Sequence, residues 1–346
     1  MAKSAEGHVG WGETIALPSW SYETVESIVS TVDRYLAPIV MGRSAFDQAY
    51  FQKQFDETLT PTVSQGFPFA KAAVQIATLD LAAQIAGLSL HRFLGGKVRD
   101  TIDLSFALSI DEPQRMAEAA RSFPGGEVLQ VKVAGDARLD AERVLAVARA
   151  RPDTDLWIDA NQSYRPVHLE SFLQRIQGME QVRCLEQPVK SIDWFGIKRA
   201  RGRSSLPIAA DEGCFSSYDV ARLARMEACD LVVLKIAKSA GLWGCQRSAF
   251  VAEANGLGLL GSGLTEAGIG FHRECAPLFH TRPGAAARIE WSKVPGRSAR
   301  GRSFVPRQHR NGSGCSGPGY SRQGGPDPEL CGEDLRTASP NTIGLV

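Results

Sequence analysis

The segment LWIDAN, residues 156–161, decides the fold. Three apolar residues stop abruptly at a carboxylate, with an amide two places on. A short apolar run of this kind reads as a strand buried on both faces in a parallel sheet. Five other segments have the same form: LQVK (129–132), RCLEQP (183–188), IAADE (208–212), LVVLK (231–235) and GSGLTE (261–266). Their charged positions, Lys132, Asp159, Glu186, Asp211, Lys235 and Glu266, are separated by 27, 27, 25, 24 and 31 residues, one βα unit per interval. In a (β/α) barrel the C-terminal ends of all strands share one face, so these groups are expected to converge on one cavity.

Outward from these segments, strands are expected at Ile102 to Ile110, Val128 to Val133, Leu156 to Asp159, Val182 to Glu186, Pro207 to Asp211, Leu231 to Lys235 and Gly258 to Gly261. Helices are expected between them, for example at Asp140 to Ala150 and Ser217 to Met226, an alternation that argues for a parallel sheet. Seven strands are visible where a closed barrel needs eight. The fold class is therefore α/β, a modified TIM (β/α) barrel with an N-terminal α+β capping domain, the barrel being incomplete at its C-terminal end.

Residues 1–100 read as the capping domain, with amphipathic helices over roughly 22–36 and 45–59 and a third running from Pro68 to Gly87. Residues 101–280 read as the barrel and residues 281–346 as an atypical tail. Of the 35 residues from Pro295 to Glu329, 24 are Gly, Pro, Arg or Ser with no structural period, a composition expected to be largely disordered. The tail is also where the positive charge lies. It carries ten Lys/Arg against five Asp/Glu, which leaves residues 1–280 at −4 within a chain of net charge +1. That body offers no basic face for nucleic acid. No apolar stretch approaches the roughly 20 residues of a membrane span, and the N-terminus lacks a signal pattern, so a cytoplasmic location is expected. Seven cysteines without a C-x-x-C fit reduced thiols.

Asp159, Glu186 and Asp211 are hard oxygen donors suited to Mg²⁺, with Mn²⁺ as an alternative. A cation held there could bind a small carboxylate substrate and stabilise the enediolate formed when its α-proton leaves. Lys132 and Lys235 are the candidate acid/base groups, since a neighbouring divalent cation lowers a lysine pKa. Asn161, Glu212 and Lys238 are candidates for supporting roles. A single acid at a strand end is more often a cap or a salt bridge; the recurrence of five such groups in one register is what argues for function.

The chain resembles the enolase superfamily, and within it the mandelate racemase and muconate-lactonizing group, closest to the muconate cycloisomerases. The resemblance rests on VGWGE near the start, FAKAAVQIATLDLAAQIAGLSLHRFLGG, QVKVAGD, DANQSY, LEQPV, AADE, LKIAKSAGL and GLTEAGIG, and covers roughly residues 6–280. It implies Mg²⁺ on Asp159, Glu186 and Asp211, acid/base lysines at Lys132 and Lys235, a rim glutamate at Glu266 and assembly as a homo-oligomer. It implies an isomerase, a racemase or epimerase or a cycloisomerase. A dehydratase of the same superfamily and a truncated, inactive derivative are the alternatives.

Three departures from the group's pattern stand out. Gln130 occupies the position where the group carries the first lysine of a K-x-K pair, which removes one charge beside Lys132. No strand or specificity loop is expected before GHVGWGE. The tail matches neither the eighth strand nor the returning segment, as a reading-frame change would produce.

Overall fold

The computed structural model describes residues 1–97, 103–123 and 128–264, together with the backbone of two later strands, Arg288–Trp291 and Ile343–Leu345. The cap comprises β1 (Ala2–Ser4), β2 (Val9–Gly10), α1 (Val25–Thr31), a π-helical turn at Val32–Leu36, α2 (Ala37–Val40), α3 (Gln48–Thr58), α4 (Pro68–Ile85) and α5 (Leu90–Phe93). The barrel then alternates: β3 (Asp103–Leu108), α6 (Pro113–Ser122), β4 (Val128–Lys132), α7 (Ala137–Ala150), β5 (Asp155–Asp159), α8 (Pro166–Arg175), β6 (Val182–Glu186) and α9 (Trp194–Arg203). It continues through β7 (Ile208–Ala210), α10 (Ser217–Met226), β8 (Leu231–Leu234), α11 (Leu242–Ala254) and β9 (Gly258–Gly261) to β10 (Arg288–Trp291); β11 (Ile343–Leu345) returns to the cap.

Eight parallel strands form one sheet in the order β10-β3-β4-β5-β6-β7-β8-β9. The sheet curls until β9 and β10 touch, although no hydrogen-bonded ladder joins them among the described residues. The eighth strand, β10, lies beyond residue 280, where the sequence reading ended the barrel. Its segment RIEW alternates polar and apolar residues for only four positions, too few to register as a period of two against a polar background. The cap's three-stranded antiparallel sheet, in the order β11-β1-β2, holds two more strands that the sequence reading did not contain. In β1, Ala2 and Ser4 are buried and Lys3 between them is not, again a period-two signal only three residues long.

Helices α4 and α11 link cap and barrel. Helix α4 is buried on almost its whole circumference, because it lies between the cap's other elements and the barrel. Its N-terminal amides, which have no partner within the helix, donate to the buried carboxylate of Glu23, Phe69 N at 2.8 Å and Ala70 N at 3.0 Å. In its middle, Gln75 Oε1 accepts from Leu242 N at the start of α11 (2.8 Å) and fastens cap to barrel.

Gly10 and Gly12 let the strand segment GWG lie directly on α4. A Cβ at Gly10 would strike Ala77 O, and one at Gly12 would strike Ala73 O, carbonyls one helical turn apart. Gly12→Ala is therefore expected to cost about 1–3 kcal/mol of stability. A lowered urea midpoint at unchanged slope would show it, and an unchanged midpoint would refute the close approach. No helix among the described residues is long and apolar enough to cross a membrane.

Candidate active site

Strand alternation explains why the polar groups meet. Leu129, Val131, Leu156, Ile158, Leu185, Ala210, Val232 and Leu234 join the core between sheet and helices. Their neighbours Val128, Trp157, Cys184, Ala209, Val233 and Leu260 form a separate apolar cluster on the concave face. Two places on from each of these, and so on the same face, stand Gln130, Asp159, Glu186, Asp211, Lys235 and Ser262. A polar layer thus sits on an apolar layer at the C-terminal end of the strands, with Lys132 one step farther along β4. The register places Lys132 beside Asp159 and Asp159 beside Glu186.

The contacts within this layer are short. Lys132 Nζ lies 2.6 Å from Asp159 Oδ2, whose other oxygen accepts from Asn161 N at 2.9 Å. Gln130 Nε2 donates to Glu186 Oε2 (3.1 Å) and reaches Asp159 Oδ2 (3.4 Å), so a neutral amide bridges two carboxylates. Lys235 Nζ meets Asp211 Oδ2 at 2.7 Å, and Lys238 Nζ meets Asp211 Oδ1 at 2.6 Å and its carbonyl oxygen at 2.7 Å. Asn161 Nδ2 donates to Glu212 Oε1 at 3.2 Å. The side chain of Lys132 is 21% exposed and that of Lys235 only 4%, so one candidate base faces the mouth and the other is enclosed.

Burial and mutual repulsion set the electrostatics. Burial first, then Asp159 and Asp211, hold the Glu186 carboxyl well above the ordinary range. Glu212 is pushed up to about 7 by burial, with Asp211 and Asp159 adding to it. Burial also opposes charge on Asp211, but the ammonium groups of Lys235 and Lys238 outweigh it and keep this carboxyl low. Among the described residues, Glu186 Oε1, Glu212 Oε2 and Gln130 Oε1 are buried without a hydrogen-bond partner. Asp159 and Asp211 are paired with lysines, and no three acidic groups among the described residues stand as a ready-made cation cage.

The backbone around these residues is unusual as well. Asn161, Gln162 and Gln187 all have left-handed conformations, with φ of 39°, 67° and 34°, each costing about 1–3 kcal/mol for a non-glycine residue. Gln187, which the sequence reading did not single out, offsets part of that cost. Its Oε1 accepts from Asp211 N (2.9 Å) and Gly213 N (3.0 Å), and its Nε2 donates to Val189 O (2.9 Å). It fixes the end of β7 from the end of β6. Its only signal in the sequence was an amide directly after Glu186.

The structure thus brings together Gln130, Lys132, Asp159, Asn161, Glu186, Asp211, Glu212, Lys235 and Lys238. Glu266 lies outside the described residues. One further side chain joins from the cap: Trp20, whose ring centroid is 4.7 Å from Lys235 Nζ.

Comparisons with known proteins agree with this architecture. Residues 2–95 match the family model for the mandelate racemase / muconate lactonizing enzyme N-terminal domain, and residues 114–294 match the enolase C-terminal domain-like model. The D-Ala-D/L-Ala epimerase of Cytophaga hutchinsonii is 34% identical over 273 residues, 78% of this chain and 72% of that protein. Muconate cycloisomerase 1 of Pseudomonas putida is 31% identical over 279 residues, 78% of this chain and 72% of that protein. The crystal structure of the Cytophaga hutchinsonii dipeptide epimerase, complexed with Mg and the dipeptide D-Ala-L-Val, superposes with a TM-score of 0.76 at 31% identity, covering 83% of this chain and 77% of that one. With both halves matched and its relatives epimerases and cycloisomerases, the chain belongs to the mandelate racemase / muconate lactonizing enzyme family of the enolase superfamily, as one of its isomerases.

Proposed function

We propose that the chain epimerises the α-carbon of a small carboxylate such as a dipeptide, Lys132 and Lys235 working on opposite faces of the substrate. The single observation that carries this reading is the placement of these two lysines on either side of Asp159, Glu186 and Asp211, at the ends of β4 and β8. An epimerase needs two proton carriers, whereas ring closure in a cycloisomerase needs one. One lysine, in its neutral form, removes the α-proton to give an enediolate, and the other, as an ammonium, delivers a proton to the opposite face. Residues 1–100 would close the mouth over this reaction, and residues 101–280 with β10 would carry it.

The donor set fits a hard divalent cation. All its candidate ligands are carboxylate oxygens, and Glu186 Oε1 is buried with no donor among the described residues. Asp159, Glu186 and Asp211 would hold Mg²⁺, with Mn²⁺ as a substitute. When bound it would supply positive charge against the substrate carboxylate and the charge developing on it. Gln130 would keep Asp159 and Glu186 aligned without adding a second cation beside Lys132.

The test is solvent deuterium exchange at the α-carbon of a panel of dipeptides, N-acylated amino acids and muconate-type carboxylates. Exchange should require Mg²⁺ and stop with chelator, and Mg²⁺ should raise the melting temperature by binding only the folded state. Exchange that persists in chelator would remove the metal from the reading. No exchange with any compound would leave the inactive alternative standing.

A further inference from the structure

The segment that carries Trp20 is short of regular structure yet firmly fixed. Trp11 N donates to Asp80 Oδ2 (2.9 Å) at its start. Trp20 N and Ser21 N both donate to Leu17 O, at 2.8 and 2.7 Å. Phe67 N donates to Tyr22 Oη (3.1 Å), and Glu23 is tied to the N-terminus of α4. The indole that this segment presents stacks on Phe215 of the β7–α10 loop, with centroids 5.8 Å apart at 28°, and meets Phe69 edge-on at 6.3 Å. Ile15, Leu17, Trp20 and Phe215 pack on one apolar cluster that also contains Ala237 and Leu264 from the barrel mouth. The wall beside Lys235 is therefore apolar and aromatic, built from cap and barrel together.

Charge is missing from this wall. Residues 11–24 contain no Lys or Arg, and their two acids are Glu13 and Glu23. Glu23 is fully buried against α4, and Glu13 has a partner of its own. On the barrel side, Lys235 and Lys238 are both held by Asp211. The stretch 11–24 and Phe215 thus bring no basic group to this wall that could pair an anionic substituent.

The distances bring this wall within reach of the substrate. Proton transfer needs the α-carbon within about 3–3.5 Å of the lysine nitrogen. With Nζ already 4.7 Å from the indole centroid, the α-carbon lies within roughly 8 Å of the ring. A substituent directed toward the cap then fills the space against Trp20 and Phe215. Resting on the epimerase reading above, the geometry points to a substrate whose α-substituent is apolar, alkyl or aryl, with Trp20 as the residue that selects it. An anionic substituent would meet the negative face of the indole and an unpaired burial.

The experiment compares kcat/KM for epimerisation of alanyl dipeptides ending in Ala, Leu, Phe, Glu or Lys, in wild type, Trp20→Ala and Trp20→Phe. Wild type should favour Leu and Phe over Glu by about 100-fold or more. Trp20→Ala should lose about 10–100-fold on Leu and Phe, mainly through KM, with a much smaller loss on Ala, and Trp20→Phe should recover most of it. A wild-type preference for Glu or Lys overturns the inference whatever becomes of the variants. So does a Trp20→Ala loss equal for all five dipeptides, which is the behaviour of a packing residue. Absence of turnover with every dipeptide overturns it together with the epimerase reading, whereas a wrong preference among processed dipeptides overturns it alone.

Discussion

Lys235→Ala is expected to lower the rate of epimerisation by about 10²–10⁴-fold, the range that a positioned general acid or base supplies. Among the described residues no other ammonium is free to replace it. Lys238 is the next ammonium along the chain, but its Nζ is held by both Asp211 Oδ1 and the Asp211 carbonyl oxygen. Lys132 belongs to β4, where Asp159 holds it. The loss should also be one-sided. With Lys132 intact, one stereoisomer of the substrate should still exchange its α-proton with solvent deuterium, and the other should not. Lys132→Ala should invert that preference. Folding is not the explanation for such a loss, since Asp211 keeps its contact with Lys238 and is not left alone in the interior. Lys235→Arg is the control: it retains charge and can reach Asp211, yet arginine stays protonated and cannot act as base. An arginine variant with wild-type epimerisation, or an alanine variant that exchanges both stereoisomers, would remove Lys235 from the chemistry.

The central constellation was legible in the sequence because of one physical rule. In a strand buried on both faces, a charge at the last position has no tolerable place except an open rim, so LWID, RCLE and LVVLK each announce both a strand and the side on which it opens. What the rule does not convey is pairing. That Lys235 and Lys238 share Asp211, or that Gln130 spans Asp159 and Glu186, depends on register and twist between strands, which single segments do not encode. The partners of Glu23, Gln187 and Trp20 were less legible still. Each acts across the fold on a partner distant in sequence: Glu23 on α4, Gln187 on Asp211, Trp20 on Lys235. Strand β10 also lay outside the sequence reading of the barrel. The polar surroundings of RIEW hid a strand whose pairing with β3 depends on backbone hydrogen bonds that any sequence of suitable shape can make.

Asp140→Ala is expected to cost about 3–5 kcal/mol of stability, a larger loss than that of Gly12→Ala. Asp140 reads in the sequence as the first residue of a helix, yet α7 begins at Ala137 with Asp136 as its cap. Asp140 therefore sits inside the first turn and reaches back. Fully buried, it accepts from Ala134 N at 3.0 Å, Gly135 N at 2.8 Å, Arg143 Nη1 at 2.8 Å and Tyr164 Oη at 2.7 Å. Alanine would leave a buried guanidinium, a buried phenol and two amides without their acceptor, and each buried unsatisfied group costs about 1–3 kcal/mol. The phenol has nowhere to turn, since Tyr164 is only 3% exposed and stacks on Phe172. The amides belong to the loop directly after Lys132. There Gly135 takes a left-handed φ of 94°, with Ser163 O 2.5 Å from where a Cβ would stand. The lost free energy is a substantial share of the roughly 5–15 kcal/mol that keeps a domain folded. Urea unfolding followed by circular dichroism should show the shift. Tyr164→Phe, which removes one donor and leaves the rest of the hub in place, should cost no more than about 1.5 kcal/mol. Similar losses for the two variants would mean that Asp140 serves the tyrosine alone, and a loss below about 1 kcal/mol for Asp140→Ala would mean that the loop after Lys132 is held by something other than this carboxylate.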